Sequence, residues 1–175
     1  MTVFWVAASG SLRTAGAAVA GAAVFAAGLH WLRRRAHRDL ATLGHKTANV
    51  PLRPRLRLQV EARPAPVIKL LEAGVRRLAA GRRDIVFERH AEGFVALLPA
   101  TLRHGYGERI EVSLTPRDTD QVEITISSRP RREGVLIDLG RNLHHVLTLR
   151  RMLESEFGRD RLVDRGLDEA PEEAA

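Results

Sequence analysis

Histidine, carboxylate and serine side chains are the groups in this sequence whose chemistry could support catalysis or metal binding. Cysteine is absent, which excludes disulfides, thiolate nucleophiles and cysteine-ligated zinc. His144 and His145 are adjacent on a predicted helix, where consecutive side chains point about 100° apart and do not easily share a metal ion. His90 lies at a predicted turn and fits no zinc-helix pattern. We interpret His144 and His145 as solvated residues or residues at the rim of the domain, and His90 as structural.

The acidic residues of the predicted strands also favour a structural interpretation. Acid–base catalysis needs an enclosed site that separates the pKa values of two carboxyl groups. The acids here fall on outward strand positions or in a turn; they are Glu108, Glu111, Asp118, Asp120 and Glu123. Ser127 and Ser128 lack the context of a nucleophile elbow. The sequence therefore predicts no catalytic residue, no metal site and no cofactor.

Two loops supply the candidate contacts to a ligand or partner. His104 and Tyr106 belong to a glycine-containing loop that could line a pocket. Arg129, Arg131 and Arg132 form the densest basic cluster of the C-terminal region. An arginine cluster can contact lipid headgroups or an acidic protein, although a solvated loop is the simpler interpretation.

Alternating apolar and polar residues predict five strands that position these loops. The pattern is clear in residues 55–63, 109–115 and 121–127, whereas residues 84–89 and 94–98 are shorter. Apolar residues at helical spacing predict helices over residues 66–80 and from about Asp138 to Phe157, with the Asp138 carboxylate capping the second helix. The predicted fold class is α+β, in the order β-α-β-β-β-β-α, with an antiparallel sheet and both helices on one face.

An alanine- and glycine-rich stretch, Thr14–Leu32, precedes this domain and is immediately followed by arginines. Its length is about that of a membrane-spanning helix, and Trp31 lies where an interfacial aromatic anchor would lie. A cleaved signal peptide, a buried soluble helix and an interfacial helix are the alternatives. The basic cluster on its C-terminal side is Arg33, Arg34, Arg35 and Arg38. By the positive-inside rule the N-terminus is expected outside and the domain in the cytoplasm, as a single-pass protein of the cell membrane.

The net charge of +7 is concentrated near this stretch. Residues 1–64 carry ten Lys/Arg and two Asp/Glu, whereas residues 65–157 carry 15 Lys/Arg and 13 Asp/Glu. A nucleic-acid-binding protein usually carries its basic patch on the folded domain, so the distribution disfavours nucleic acid as a partner. It favours anionic lipid headgroups, which attract basic residues next to a membrane span. Ala17 and Gly21 form a small-xxx-small pair, which is a weak indication of a homodimer through the membrane helix.

These patterns predict five segments along the chain. Residues 1–13 form an N-terminal segment that extends the helix or lies in the interface, and residues 14–32 form the transmembrane helix. Residues 33–54 form a basic juxtamembrane linker, residues 55–157 the α+β domain, and residues 158–175 a disordered acidic tail.

Two short motifs resemble those of an uncharacterised family of small, often membrane-anchored proteins. The motifs are Gly107–Val112, similar to a Trp-Gly-Glu step into a strand, and Asp138–Asn142, similar to an Asp-Trp-Gly-Lys-Asn helix start. Tyr106 and Leu139 stand where that family would have tryptophan. The resemblance covers about residues 55–157 and implies a reduced helix-grip fold, in which a sheet curves around a C-terminal helix. It implies no known activity.

The sequence thus predicts a membrane-anchored, non-catalytic α+β domain that binds a partner or ligand. One alternative is a carrier that holds a small apolar ligand or lipid between the sheet and the C-terminal helix. An enclosed apolar pocket of roughly 300 Å³ or more would favour that alternative. The other alternative is an enzyme of unknown reaction, which a concave site containing His104, Glu108 and Asp138 would favour.

Overall fold

The computed structural model describes residues 4–43, 50–80, 82, 84–100, 106–132 and 138–169, with side chains from Ala18 onward. The chain divides into two compact units, Met1–Arg38 and Asp39–Ala175. The predicted contact residue His104 and the end of the predicted tail, residues 170–175, lie outside the described residues.

The first unit is helical. Helix α1 spans Phe4–Thr42, so it begins earlier than the predicted span and ends inside the second unit. Several of its large apolar side chains are exposed, namely Val19, Val24, Phe25, Trp31 and Leu32, with Val24 74% and Phe25 68% accessible. Among the residues whose side chains are described, no helix has the length and apolar character that a membrane span requires. The predicted span begins at Thr14, so the side chains of its residues 14–17 lie outside those described.

The second unit confirms the α+β class and the antiparallel sheet. Its described residues form two long helices and six strands. Their bounds are β1 Pro54–Val60, α2 Pro64–Leu78, β2 Val86–His90, β3 Gly93–Leu98, β4 Glu108–Asp118, β5 Gln121–Pro130, α3 Arg141–Phe157 and β6 Leu162–Glu169. The strands lie in the order β2-β3-β4-β5-β1-β6, and every paired strand is antiparallel.

Strand β6 corrects the prediction of a disordered tail over residues 158–175. Arg159–Arg161 forms a single 3-10 turn after α3, and the chain then pairs with β1 along its length. Leu162 and Leu167 pack against the core from this strand. Six of its eight residues are exposed, so the strand has little apolar periodicity. Its stability depends on the ladder with β1, which a local sequence pattern does not reveal.

The inward strand positions predicted from the alternation form the core. Leu56, Ile110, Val112, Ile124 and Ile126 are all fully buried on one sheet face. Helices α2 and α3 cover this face, and their contributions to the core are Val67, Leu71, Val75, Val146, Leu149 and Leu153. Buried side chains therefore occupy the space between the sheet and α3, where a carried apolar ligand would lie.

The C-terminal turn of α1 corrects the prediction that residues 33–54 form a linker. Residues 33–42 are helical, and Leu40 is 2% exposed because it packs against Leu143 and Leu147 of α3. Residues 44–49 of the predicted linker lie outside the described residues. The helix end is thus part of the second unit, where it adds a small apolar cluster on α3.

Candidate functional site

A buried carboxylate organises one end of the sheet. Glu108 begins β4 on the helix-covered face and is 3% exposed. Its Oε2 accepts a hydrogen bond from Nη1 of Arg82, and its Oε1 lies 3.2 Å from Nη1 of Arg141. The prediction that Glu108 is a solvated outward residue is therefore wrong. Glu108 lies two residues before Ile110 and four before Val112, so its side chain points to the same, buried face of β4. This spacing could have predicted its burial from the sequence.

Two arginines keep this carboxylate ionised. Burial by itself would raise the pKa of Glu108, but the hydrogen bond from Arg82 and the charges of His145, Arg82 and Arg141 outweigh burial and lower it. An ionised carboxylate held by two guanidinium groups is a weak proton acceptor. The arrangement consequently favours a structural role for Glu108 over general-base catalysis.

His145 lies next to this ion pair on α3 and is 4% exposed. Burial lowers the pKa of His145 to about 4, because it outweighs the opposing attraction of Glu108 and is reinforced by His144, Arg82 and Arg141. The imidazole is therefore neutral at pH 7, and the arginines alone stabilise Glu108 there. The prediction of a solvated or rim role is wrong for His145, whereas His144 is only partly buried.

A second set of hydrogen bonds fixes the start of α3 to the sheet. The Asp138 carboxylate accepts the backbone N–H groups of Gly140 at 2.8 Å and Asn142 at 2.9 Å, which confirms its predicted capping role. Burial raises the pKa of Asp138 despite these bonds. The Asn142 side chain accepts a 2.8 Å hydrogen bond from the Ser128 hydroxyl and donates to the Leu52 carbonyl at 3.1 Å.

The exposed surface above this network is rich in arginine. Arg109 and Arg129 are direct cross-strand partners on the outer face of β4 and β5. Like charges directly opposite each other destabilise a sheet, and the Glu111 carboxylate, 3.5 Å from the Arg109 guanidinium, offsets part of this repulsion. Arg131 and Arg132 follow β5 and are exposed, and Tyr106 beside β4 is 53% exposed. We call these five residues the arginine end.

Gly107 holds the two sides of the arginine end together. Its carbonyl accepts the backbone N–H of Arg131 at 3.1 Å. Its φ is +75°, and a Cβ there would lie 2.8 Å from the Leu98 carbonyl oxygen, so only glycine fits without displacing backbone. The structure therefore brings together four of the predicted contact residues, Tyr106, Arg129, Arg131 and Arg132.

The predicted membrane-surface residues belong to the first unit. Arg33, Arg34, Arg35 and Arg38 are all exposed on α1. The Arg35 guanidinium lies 5.7 Å from the centre of the Trp31 ring, within the range of a cation–π contact. These residues form a basic segment with an aromatic side chain at its start.

A second polar region occupies the outer face at the opposite end of the sheet. It is an open depression of about 470 Å³ lined by Arg57, Gln59, Arg117, Glu123 and Arg165. The sequence analysis did not predict it, because Arg165 belongs to the unpredicted strand β6. Across the described residues, no group of three or more His, Asp or Glu side chains could hold a metal ion.

Comparisons with known proteins add no assignment. No family model matches the chain, and no curated protein shows significant similarity to it.

Proposed function

We propose that this chain is a single-span membrane protein that holds a non-catalytic α+β domain at the cytoplasmic surface, with its N-terminus outside. The observation that carries the proposal is helix α1. Five of its large apolar side chains are exposed: Val19, Val24, Phe25, Trp31 and Leu32. Exposed arginines at residues 33–35 and 38 follow them. Exposed apolar residues on a helix need a partner surface or a bilayer, and a flanking arginine cluster favours the cytoplasmic side of a bilayer.

The arginine end supports binding of an anionic group by the domain. Four arginines and an exposed tyrosine lie on one surface, and Arg109 faces Arg129 directly. Guanidinium groups bind phosphate and carboxylate oxygens in pairs, and tyrosine is suited to the membrane interface. We propose anionic lipid headgroups as the ligand of this surface and an acidic protein as the alternative partner.

Membrane extraction of the full-length protein tests the anchor. The protein should remain with membranes through high-salt and alkaline washes. A double substitution of exposed apolar residues, Val24→Lys with Phe25→Lys, should release most of it because each buried charge costs about 2.5–3.5 kcal/mol in a membrane helix. Thr115→Lys with Thr125→Lys adds the same charge to the outer sheet face and should leave the protein in the membrane. Release of the unsubstituted protein by salt alone would show that the anchor is wrong.

The orientation can be tested with single cysteines because the natural chain has none. Ser155→Cys, exposed on α3, should react with a membrane-impermeant maleimide only after the cells are opened. A cysteine placed before Phe4 should react in intact cells. The reverse pattern would place the domain outside.

A further inference from the structure

We propose that the depression on the outer sheet face binds a phosphate ester carried on a hydroxyl-rich body, such as a sugar phosphate. Its lining residues come from four strands: Arg57 and Gln59 from β1, Arg117 from β4, Glu123 from β5 and Arg165 from β6. The site is separate from the arginine end and does not depend on the proposed membrane anchor.

A β-bulge directs Arg165 into the depression. Arg57 pairs with Gly166 and Leu58 pairs with Asp164, so Arg165 is the extra residue between two ladder positions. Gly166 has a φ of +120° and donates its N–H to the Asp164 carboxylate at 2.9 Å. Bulges of this kind redirect a side chain, and here the Arg165 guanidinium reaches the Gln59 side-chain oxygen.

The guanidinium groups of Arg57, Arg117 and Arg165 all form hydrogen bonds, but not all of them are paired with a carboxylate. Arg117 donates to Glu123 through Nε at 2.7 Å, and Arg57 donates to Asp168 at 2.8 Å. Within the described part of the chain, Arg165 has the neutral Gln59 as its hydrogen-bond partner. Positive charge therefore exceeds negative charge at the Arg165 side, where an oxyanion would be stabilised.

The remaining lining groups fit hydroxyl groups rather than an apolar body. Gln59 donates its amide to Gln121 at 2.8 Å, which fixes its oxygen toward Arg165. Glu123 accepts the bonds from Arg117 on a single oxygen, Oε2. Its other oxygen can accept a hydroxyl proton. A phosphate for the arginines and a hydroxyl for Glu123 together describe a phosphorylated sugar.

Calorimetric titration of the purified full-length protein in a neutral detergent tests this site. Glucose 6-phosphate should bind, and glucose should bind at least tenfold more weakly. Arg165→Gln should weaken glucose 6-phosphate binding about tenfold through loss of a charged hydrogen bond. Arg165→Lys, which keeps the charge but loses the planar fork, should have an intermediate effect. Arg77→Gln on the exposed side of α2, which belongs to neither surface, is the matched control and should change nothing.

Two further arms sharpen the assignment. Glu123→Gln should weaken the sugar phosphate more than inorganic phosphate, because only the sugar offers a hydroxyl. The same titration in detergent that contains phosphatidylinositol 4-phosphate compares a lipid headgroup with a free phosphate ester. The one that binds more tightly, the lipid or glucose 6-phosphate, is the source of the ligand. Absence of glucose 6-phosphate binding, equal binding of glucose, or equal losses in Arg165→Gln and Arg77→Gln would overturn the proposal, provided that both variants unfold at the temperature of the natural protein.

Discussion

The two ends of the sheet use arginine in different ways. At the arginine end, Arg109 faces Arg129 and contacts Glu111, while Arg82 and Arg141 share the buried Glu108 below them. At the other end, Arg117 and Arg57 are exposed and each contacts a carboxylate. The same residue type thus concentrates charge at one end and lines a polar depression at the other.

Comparing the two ends indicates that the contribution of an ion pair to stability depends more on its burial than on the presence of a partner. Arg82 and Glu108 have side chains only 2% and 4% exposed, whereas Arg117 is 57% exposed. Water stabilises a surface charge after its partner is removed, but it does not reach the buried one. The buried pair should therefore determine stability, and the exposed arginines should determine binding.

The largest expected effect is the loss of stability in Glu108→Gln. The substitution leaves Arg82 buried without an anion, and breaking a buried pair costs about 3–5 kcal/mol. Glu123→Gln, which breaks the exposed pair with Arg117, should cost less than about 1 kcal/mol. Urea unfolding followed by circular dichroism measures both. Equal losses would show that burial does not distinguish the two ends.

The next effect is a loss of stability in acid that depends on His145. The folded-state pKa of His145 is about 4, below its ordinary value of 6.5. The unfolded chain therefore takes up a proton below pH 6.5 while the folded chain does not, so stability falls as the pH decreases toward 4. Between pH 6.5 and pH 5 the loss should be about 2 kcal/mol. The lowered pKa of Glu108 adds a further loss only below its ordinary value of 4.5.

Urea unfolding at pH 7 and pH 5 measures this loss, and His145→Gln should remove most of it. His144→Gln should remove less because His144 is only partly buried. A nuclear magnetic resonance titration of the His145 ring in the natural protein gives the same answer without a variant. A ring that titrates near 6.5 would contradict the proposed environment, which includes Glu108, Arg82, Arg141 and His144.

The smallest expected effect concerns lipid contact at the arginine end. A fluorophore at Ala100→Cys, next to Gly107, should report a less polar environment in nanodiscs containing phosphatidylglycerol than in phosphatidylcholine alone. Arg131→Glu with Arg132→Glu should reduce the apparent affinity for these nanodiscs by about thirtyfold, since each basic residue near an anionic surface contributes about 1 kcal/mol.

The matched control for lipid contact lies at the opposite end of the sheet. Arg63 is an exposed arginine there, paired with Asp120 at 3.2 Å. Arg63→Glu should leave the response of the Ala100→Cys probe unchanged. If it has the same effect as the double substitution, only net charge matters and the arginine end is not a specific surface.

Much of the fold could be predicted because its signals are local. Alternating residues in β4 and β5 identified the buried side chains, and the Asp138 cap was visible next to the helical stripe that follows it. The exposed positions of Tyr106, Arg131 and Arg132 could also be predicted, because loops next to strand ends lie on the surface, whereas Arg129, predicted in the same loop as Arg131, lies within β5. Their cross-strand arrangement depends on the register of β4 with β5.

The missed features are nonlocal. Arg82 reaches Glu108 across 26 positions of sequence, and β6 pairs with β1 across more than 100. Neither contact leaves a periodic pattern: β6 is mostly exposed, and Arg82 lies outside any predicted helix or strand. The end of α1 was missed as a helix because a single buried residue, Leu40, does not make a sustained apolar period.

By itself, the sequence determined the class of the domain and which strand faces are apolar, because side-chain direction in a strand has a period of two and is set within a few residues. It also determined that the excess positive charge lies near the N-terminal helix. Only the tertiary structure decided that Glu108 and His145 are buried and that Arg165 lines the depression on the outer sheet face. Burial of a polar side chain depends on which distant groups supply its hydrogen bonds and charge, and chain folding alone brings those groups together.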